Sequence, residues 1–182
     1  MNDSEIREIL CDYIDRNSDK VRLIDELVIG KARADIIAVT DHLAGYEIKG
    51  DNDSYTRLPT QIKEYDKHFQ KNTLVVGASH KKSAEKHVPT HWGIMCVQED
   101  DHESKITLIR EAKENPKFKI KSQLRLLWRN ELANILKENK LPKYNGKSRA
   151  FINGKILERV SVDVLEKQIC EEFFERDWSR FL

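Results

Sequence analysis

Two neighbouring stretches of the chain are apolar runs with the length of a β-strand. The first covers residues 33–39 and the second residues 43–49, and only Thr40-Asp41-His42 lies between them. Two strand-length runs separated by a short polar segment predict a β-hairpin. If the three polar residues form the loop, Val39 pairs with Leu43, and this pairing sets the register of the two strands.

Three charged side chains share one face of the predicted hairpin. Counting outward from the loop places Asp35 directly opposite Glu47, and period-two alternation puts Lys49 on the same face. Paired carboxylates within reach of each other favour a hard divalent cation, Mg²⁺ or Mn²⁺. A lysine beside such a site can hold a water and neutralise charge that builds on a phosphate. The pattern therefore predicts metal-dependent chemistry on a phosphate.

The remaining apolar pattern predicts a mixed α/β fold. Apolar runs predict further strands over residues 21–29, 73–77, 92–97 and 106–112, the last as a strand or an irregular edge, with a polar turn over 99–105. Apolar stripes at helical spacing predict helices from Ser4 to about residue 17, over 55–69, over 122–138 and from Ser161 onward to Trp178 and Phe181, and a short helix over 79–87. The strand over 73–77 is expected to pair in parallel through a crossover.

The residues around the hairpin carry a family resemblance. Asp35 followed by Glu47-Ile48-Lys49 resembles the D…(D/E)-x-K core of the PD-(D/E)XK nuclease superfamily, although Ala34 stands where the superfamily name has Pro. The chain is similar to small bacterial and phage proteins of this superfamily with an RxD…EIK…RLxxQxxxY pattern. The resemblance covers about residues 21–136, through Arg33, Gly45, Tyr46, Asp53, Arg57, Leu58, Gln61, Tyr65, His91-Trp92-Gly93-Ile94, Arg110-Glu111-Ala112, Leu127-Trp128-Arg129 and Glu131-Leu132.

This resemblance implies a fold and a reaction. The fold is a restriction-endonuclease-like α/β core of order αβββαβ over residues 1–115, with a helical C-terminal extension over 116–182 packed on it as one structural domain. The reaction is Mg²⁺- or Mn²⁺-dependent hydrolysis of phosphodiester bonds in DNA, which leaves a 5′-phosphate. Asp35 and Glu47 would hold the metal, the carbonyl group of Ile48 would be a further ligand, and Lys49 would steer the attacking water.

Three more residues are candidates for the same site. A Glu-Leu pair precedes the hairpin at this distance in the resembling proteins, so Glu26 is a candidate third carboxylate for the metal. An exposed charge on an edge strand is the alternative reading of Glu26. Gln61 and Tyr65, four residues apart on a predicted helix, would position the water or a phosphate oxygen. Tyr65 could instead be a core residue with its hydroxyl at the edge.

The net charge decides where a nucleic acid could bind. The chain has 32 lysines and arginines and 31 acidic residues, so its net charge is close to zero. A nucleic acid must therefore bind to a local basic surface. DNA is favoured over RNA as this partner. The candidate contacts are Arg57, a short segment with Lys81, Lys82 and Lys86, and a loop in which Lys143, Lys147 and Arg149 surround Tyr144. A solvated helix face and an ordinary linker are the alternatives for the two clusters.

Other features of the sequence bear on the cellular location, on zinc binding and on the alternative functions. Three scattered cysteines predict free thiols in a reducing cytoplasm, and no apolar run reaches the length of a membrane span. His80, His87 and His91 match no familiar zinc spacing. Two other functions stay open: a catalytically silent module of the same fold that binds nucleic acid or protein, and a phosphate-handling enzyme that acts on nucleotides or RNA. A homodimer is compatible with each of these functions.

Overall fold

A six-stranded mixed sheet forms the centre of the N-terminal unit. In the computed structural model, which describes residues 1–100 and 103–177, the chain divides into two compact units, Met1–Phe118 and Lys119–Leu182. The strands are β1 (Arg22–Ile29), β2 (Ala32–Val39), β3 (Leu43–Lys49), β4 (Lys71–Gly77), β5 (Gly93–Asp100) and β6 (Glu103–Arg110). They lie side by side in chain order. The predicted α/β class is confirmed.

The directions of the strands make the sheet mixed. β1, β2 and β3 form an antiparallel meander, and β4 runs parallel to both β3 and β5. β6 then returns antiparallel to β5, with Gln98 opposite Lys105 and Glu99 opposite Ser104. The polar turn predicted over 99–105 is therefore wrong for these paired residues. Their side chains are all polar, which suits an exposed pair of strand ends as well as it suits a loop.

The central hairpin has the predicted register. Val39 pairs with Leu43, and the paired residues continue outward to Ile36 and Tyr46. One further step along this register brings Asp35 and Glu47 opposite each other. The three-residue loop and the alternation of side chains were therefore sufficient to set the position of the two carboxylates.

Two helices, α1 (Asp3–Arg16) and α2 (Leu58–His68), belong to this unit. α1 buries Ile6, Leu10 and Ile14 against one side of the sheet, in a cluster that includes Ile36 and Ile48. Its N-cap is Asn2 and not the predicted Ser4, because the Asn2 side chain accepts a hydrogen bond from the Glu5 N–H (3.0 Å) and the Glu5 carboxylate accepts one from the Asn2 N–H (2.8 Å).

α2 packs closely against β3. A Cβ atom on Gly45 would lie 2.4 Å from the ring of Phe69 and 2.8 Å from the ring of Tyr65, so only glycine allows this approach. The helix begins at Leu58, three residues later than predicted, because Pro59 is tolerated only in the first turn. The contact at Gly45 sets the distance between the helix that carries Gln61 and Tyr65 and the strand that carries Glu47 and Lys49.

The segment after β4 is not the short helix that the sequence predicted. Residues Ala78–His80 and Ala84–Lys86 form two separate turns of 3₁₀-helix. Ser79 anchors the first turn, because its N–H donates to Oδ1 of Asp51 (2.8 Å). Asp51 follows the end of β3 by two residues, so the basic segment starts at the same edge of the sheet as Lys49.

Four helices make up the described part of the C-terminal unit: α3 (Ile120–Leu124), α4 (Arg129–Glu138), α5 (Arg149–Arg159) and α6 (Val162–Glu175). The single helix predicted over 122–138 is wrong. Trp128 is extended (φ −80°, ψ 170°), and its N–H donates to Oε2 of Glu131 (2.5 Å), so α4 starts afresh after it. α5, capped by Ser148, was not predicted because its approach was interpreted as a basic loop.

The start of α6 and a buried ion pair complete this unit. Ser161 occupies the position before α6, as predicted. Trp178 and Phe181, the predicted end of the closing helix, lie outside the described residues. Both Nε and Nη2 of Arg176 lie 2.5 Å from the carboxylate oxygens of Glu131, and both side chains are buried. In the described part of the chain, no helix is both long enough and apolar enough to cross a membrane.

Candidate active site

Asp35, Glu47 and Lys49 converge at the edge of the sheet where β2 and β3 separate. Nζ of Lys49 lies 2.6 Å from Oε1 of Glu47, and both side chains are almost fully buried. Oδ2 of Asp35 accepts a hydrogen bond from the main-chain N–H of Ile48 (2.8 Å), which lies between the other two residues in the chain. Two carboxylates and one ammonium group therefore meet at one point.

The burial of this cluster changes its proton affinity. Burial raises the pKa of Glu47 to about 7, and the negative charge of Asp35 adds to this effect, while Lys49 opposes it. Burial likewise raises the pKa of Asp35, and the hydrogen bond from Ile48 and the charge of Lys49 lower it. Near neutral pH the carboxyl group of Glu47 is thus close to the midpoint of its ionisation.

One oxygen of the cluster lacks a protein partner. Oε2 of Glu47 is buried and accepts no hydrogen bond from the described residues. A buried carboxylate oxygen without a donor is costly unless a proton or a cation satisfies it. No group of three or more His, Cys, Asp or Glu side chains gathers in the described residues as a metal cluster. Mg²⁺ commonly uses one or two carboxylates and fills its other positions with water and substrate phosphate, so two carboxylates fit it.

Tyr65 links the two strands at this point. Its side chain is fully buried, and its hydroxyl accepts from the N–H of Asp35 (3.0 Å) and donates to the carbonyl oxygen of Tyr46 (3.1 Å). Nη1 of Arg7 donates to the carbonyl oxygen of Asp35 (2.6 Å). Side chains therefore bind both main-chain polar groups of Asp35. The pairing of β2 with β3 ends one residue before it, at Ile36 and Tyr46.

Gln61 belongs to the same cluster through Lys49. Its Oε1 lies 3.4 Å from Nζ of Lys49, so the ammonium group is held between Glu47 and Gln61. Gln61 also lines the cavity beside Asp35. The structure thus brings together Asp35, Glu47, Lys49, Gln61 and the hydroxyl of Tyr65.

Glu26 lies opposite Asp35 on β1, between the paired residues Asp25 and Leu27. Its backbone is in the left-handed region (φ 55°), which is unfavourable for a residue other than glycine. Its half-exposed carboxylate forms ion pairs with Arg33 (3.1 Å) and Arg7 (3.9 Å). In this structure the contacts of Glu26 are with these two arginines.

A cavity of about 470 Å³ opens next to Asp35. It is lined by Lys31, Ala32, Arg33, Asp35, Thr56, Arg57, Thr60 and Gln61. Three of these residues are cations, which are the side chains that hold phosphate groups in proteins. Arg57 and Gln61 were predicted to lie at the site, whereas Lys31 and Arg33 were given no role. Arg33 could have been found by the same alternation that identified Asp35, because it lies two residues before it on the strand.

The other candidate contacts to nucleic acid lie in two places. Lys82 and Lys86 are exposed in the 3₁₀ segment, and Nζ of Lys81 donates to Oε1 of Gln98 (3.1 Å). In the C-terminal unit, Nζ of Lys147 lies 5.5 Å from the ring centre of Phe151. There Arg149 donates from Nη2 to the carbonyl oxygens of Arg125 and Leu127, and Lys143 lines a second cavity.

Two of the three histidines pack against the same tyrosine, and the third lies next to a carboxylate. The rings of His80 and His87 pack against Tyr55, with ring centres 4.8 Å and 3.9 Å away. Nε2 of His91 lies 2.9 Å from Oδ1 of the buried Asp66.

Residues 2–180 match the protein family described as Bacteriophage P4 protein cII. The chain belongs to this family. Protein cII of Enterobacteria phage P4 is 23% identical to it over 142 residues, which cover 76% of this chain and 54% of that protein. The chain therefore spans about half the length of this P4 cII relative. No solved structure matches the chain.

Proposed function

We propose that this member of the P4 cII family is a metal-dependent nuclease that hydrolyses phosphodiester bonds in DNA. The observation that carries the proposal is the buried Oε2 of Glu47, which accepts no hydrogen bond within hydrogen-bonding distance from the described residues and lies in a cluster with Asp35 and Lys49. A cation at this position would satisfy that oxygen and remove the repulsion between the two carboxylates.

The arrangement of the N-terminal unit supports the proposal. The elements α1, β1, β2, β3, α2 and β4 follow one another in the order αβββαβ, and β4 is parallel to β3. This is the order of a restriction-endonuclease-like core, in which the PD-(D/E)XK residues occupy the hairpin. We assign the chain to that fold family because its elements follow this order and because Asp35, Glu47 and Lys49 occupy the hairpin.

Asp35 and Glu47, with the main-chain carbonyl of Ile48 as a further ligand, would hold Mg²⁺ or Mn²⁺. When bound, such an ion supplies an acidic water that can attack a phosphate at neutral pH and neutralises charge on the phosphate. Glu26 would join the ligands only after release from Arg33 and Arg7, with which it pairs here.

The residues of the chain have distinct roles in the proposed reaction. Lys49, held by Glu47 and Gln61, orients the attacking water and stabilises the charge that develops on the phosphate. Arg57 and Arg33 in the cavity hold the phosphate of the DNA strand. Tyr65 is a positioning residue, because its hydroxyl binds the main chain next to Asp35 and Glu47.

A plasmid assay tests the proposal. Supercoiled DNA is incubated with the protein and Mn²⁺ or Mg²⁺, with and without a chelator, and the products are tested for a 5′-phosphate. Cleavage is expected for the wild type and for Asp25→Asn, a control carboxylate that is 60% exposed and pairs with Arg7. Asp35→Asn should not cleave.

Two results of this assay would overturn the proposal. One is cleavage by Asp35→Asn at the wild-type rate, which would indicate a contaminating nuclease. The other is the absence of cleavage by the folded wild type with either metal. Binding of DNA without cleavage would favour the silent module of the same fold.

A further inference from the structure

The C-terminal unit contains a cavity of about 670 Å³ with an unusual distribution of charge. It lies between α4, the loop that follows this helix, and the start of α5. Four cations line it, Arg129, Lys137, Lys140 and Lys143, and none of the described residues in its lining is acidic. Four exposed cations around one cavity form a local basic surface, which attracts anions.

These cations are not neutralised by ion pairs within the described part of the chain. None of the ion pairs found there includes Lys137, Lys140 or Lys143, and Nη2 of Arg129 donates to a main-chain oxygen, that of Lys147 (2.9 Å). Glu172 is not among the lining residues, but its carboxylate accepts a hydrogen bond from Nδ2 of the lining residue Asn134 (3.1 Å).

The sequence around the cavity also has an excess of basic over acidic residues. Residues 119–149 contain nine lysines and arginines, at positions 119, 121, 125, 129, 137, 140, 143, 147 and 149, and two acidic residues, Glu131 and Glu138. Glu131 is already bound by Arg176. Although the whole chain is almost neutral, this stretch is strongly basic, which is the charge distribution that attracts phosphate.

The backbone of the loop is held in a costly conformation. Lys140 (φ 54°) and Tyr144 (φ 48°) are both in the left-handed region, as is Gly146 (φ 71°). Lys140 follows the C-cap of α4, a position where glycine is strongly preferred. Strained residues of this kind concentrate at ligand clamps, and both side chains line the cavity.

The remaining lining suits a planar organic group. Leu136, Leu141 and Ile152 provide apolar surface, and Tyr144 provides an aromatic ring, which packs edge-on against Phe151 with ring centres 5.4 Å apart. A site with mostly apolar walls and a few charged groups is typical of small-molecule binding. An aromatic ring beside cations is also the combination that binds a base together with its phosphate.

We propose that this cavity binds a nucleoside phosphate, with the phosphate at Lys137, Lys140 and Lys143 and the base against Leu136, Leu141 and Tyr144. The same chemistry is present in a free nucleotide and at the phosphorylated end of a nucleic acid strand. Each of its lining residues belongs to the C-terminal unit, whereas the residues of the proposed metal site belong to the N-terminal unit.

Calorimetric titration of the full chain tests this proposal. A chelator is present, so that binding is measured while metal-dependent cleavage cannot occur. The probes are deoxyadenosine monophosphate, deoxyadenosine, inorganic phosphate, and one oligonucleotide with either a 5′-phosphate or a 5′-hydroxyl. Saturable binding of the nucleotide is expected, and it should be stronger than that of the nucleoside or of phosphate. Stronger binding of the 5′-phosphorylated oligonucleotide than of its hydroxyl form would identify a strand end as the source.

Substitutions of the lining lysines test whether the nucleotide binds in this cavity. Lys140→Ala combined with Lys143→Ala should weaken nucleotide binding at least about tenfold, because charge-assisted contacts to phosphate are lost. Lys140→Gly combined with Lys143→Ala is a second variant, which relieves the strained backbone and therefore remains folded. Lys155→Ala, at an ion pair with Glu158 on α5, is the control and should bind normally.

Two outcomes would overturn the proposal. One is equal binding of the nucleotide by the wild type and by both double variants. The other is the absence of saturable binding of the nucleotide and of either oligonucleotide. Both outcomes are independent of cleavage by Asp35, Glu47 and Lys49, because the titration contains no metal ion.

Discussion

Lys49 and Glu47 lie two residues apart on β3 and form an ion pair of 2.6 Å while both side chains are buried. Only one oxygen of Glu47 takes part in this pair, and the other oxygen is buried without a hydrogen bond from the described residues. The ammonium group therefore satisfies half of the carboxylate. The other oxygen is the strongest indication in the N-terminal unit of where a cation would bind.

The metal-free protein should lose stability as the pH rises from about 4.5 to about 7. The pKa of Glu47 is raised from its ordinary value of 4.5 to about 7, so in this window the folded state keeps a proton that the unfolded state releases. By linkage, the free energy of unfolding falls by at most about 3 kcal/mol across the window. Asp35 adds a change of the same sign, because burial also raises its pKa.

Urea unfolding in the presence of a chelator at a series of pH values measures this effect. Glu47→Gln, which cannot ionise, should show a shallower dependence on pH than the wild type. Mn²⁺ should restore stability to the wild type at pH 8 and should have little effect on Glu47→Gln. Equal pH slopes for the two proteins would show that Glu47 is not the group that titrates.

Tyr65→Phe should destabilise the N-terminal unit and slow cleavage. The variant removes the hydroxyl that joins the N–H of Asp35 to the carbonyl oxygen of Tyr46, and each of these buried groups loses a partner. The expected loss is about 1–3 kcal/mol of unfolding free energy. Chemical denaturation and the plasmid assay measure the two effects. Tyr13→Phe, at a partly buried position of α1, is the control. If Tyr65→Phe had the stability and the cleavage rate of the wild type, the hydroxyl of Tyr65 would have no positioning role.

Glu26→Gly separates backbone strain from metal binding at this position. Glycine relieves the left-handed conformation, which is worth about 1–2 kcal/mol, and it removes half-exposed ion pairs that contribute at most about 1 kcal/mol. The variant should therefore be at least as stable as the wild type. If Glu26 is a metal ligand, the variant also binds Mn²⁺ more weakly, and unchanged Mn²⁺ affinity would exclude that role. Glu26→Gln, which keeps the strain and removes the charge, is the matched comparison.

Gly45→Ala should disturb the packing of α2 on β3. The added methyl group would meet the rings of Phe69 and Tyr65, and overpacking of this kind costs about 1–3 kcal/mol. Gly154→Ala in α5 is the opposite case, because nothing lies within 4 Å of the new atom and alanine favours a helix by up to about 1 kcal/mol. Thermal unfolding of the two variants should therefore shift in opposite directions, and a neutral Gly45→Ala would contradict the tight approach of the helix.

Much of the arrangement around the hairpin could be predicted from the sequence alone. Loop length and the alternation of side-chain direction determined the register of β2 and β3, since a one-residue slip would take Asp35 out of its position opposite Glu47. The role of Tyr65 as a link between the two strands could not be predicted, because it depends on how closely α2 approaches Gly45. Arg33 was overlooked although its spacing from Asp35 was visible.

The helices of the C-terminal unit were harder to predict. The apolar stripe over 122–138 continues through Trp128, so periodicity alone indicated one helix. The break depends on Glu131, which binds the N–H of Trp128 and also Arg176, 45 residues later in the chain. The basic residues 140–149 resembled a solvated linker, which concealed both the cavity and the start of α5. In each case a contact distant in sequence decided the local structure.

The central claim is that Asp35 and Glu47 hold one hard cation while Lys49 acts on the water or phosphate beside it. Its most direct test is a calorimetric titration of Mn²⁺ into the wild type, Asp35→Ala and Lys49→Ala, with plasmid cleavage measured on the same samples and folding checked by circular dichroism. The account predicts that the wild type binds Mn²⁺ and cleaves, that Lys49→Ala binds Mn²⁺ without cleavage, and that Asp35→Ala does neither. Cleavage by Lys49→Ala, or equal Mn²⁺ binding by Asp35→Ala and the wild type, would contradict it.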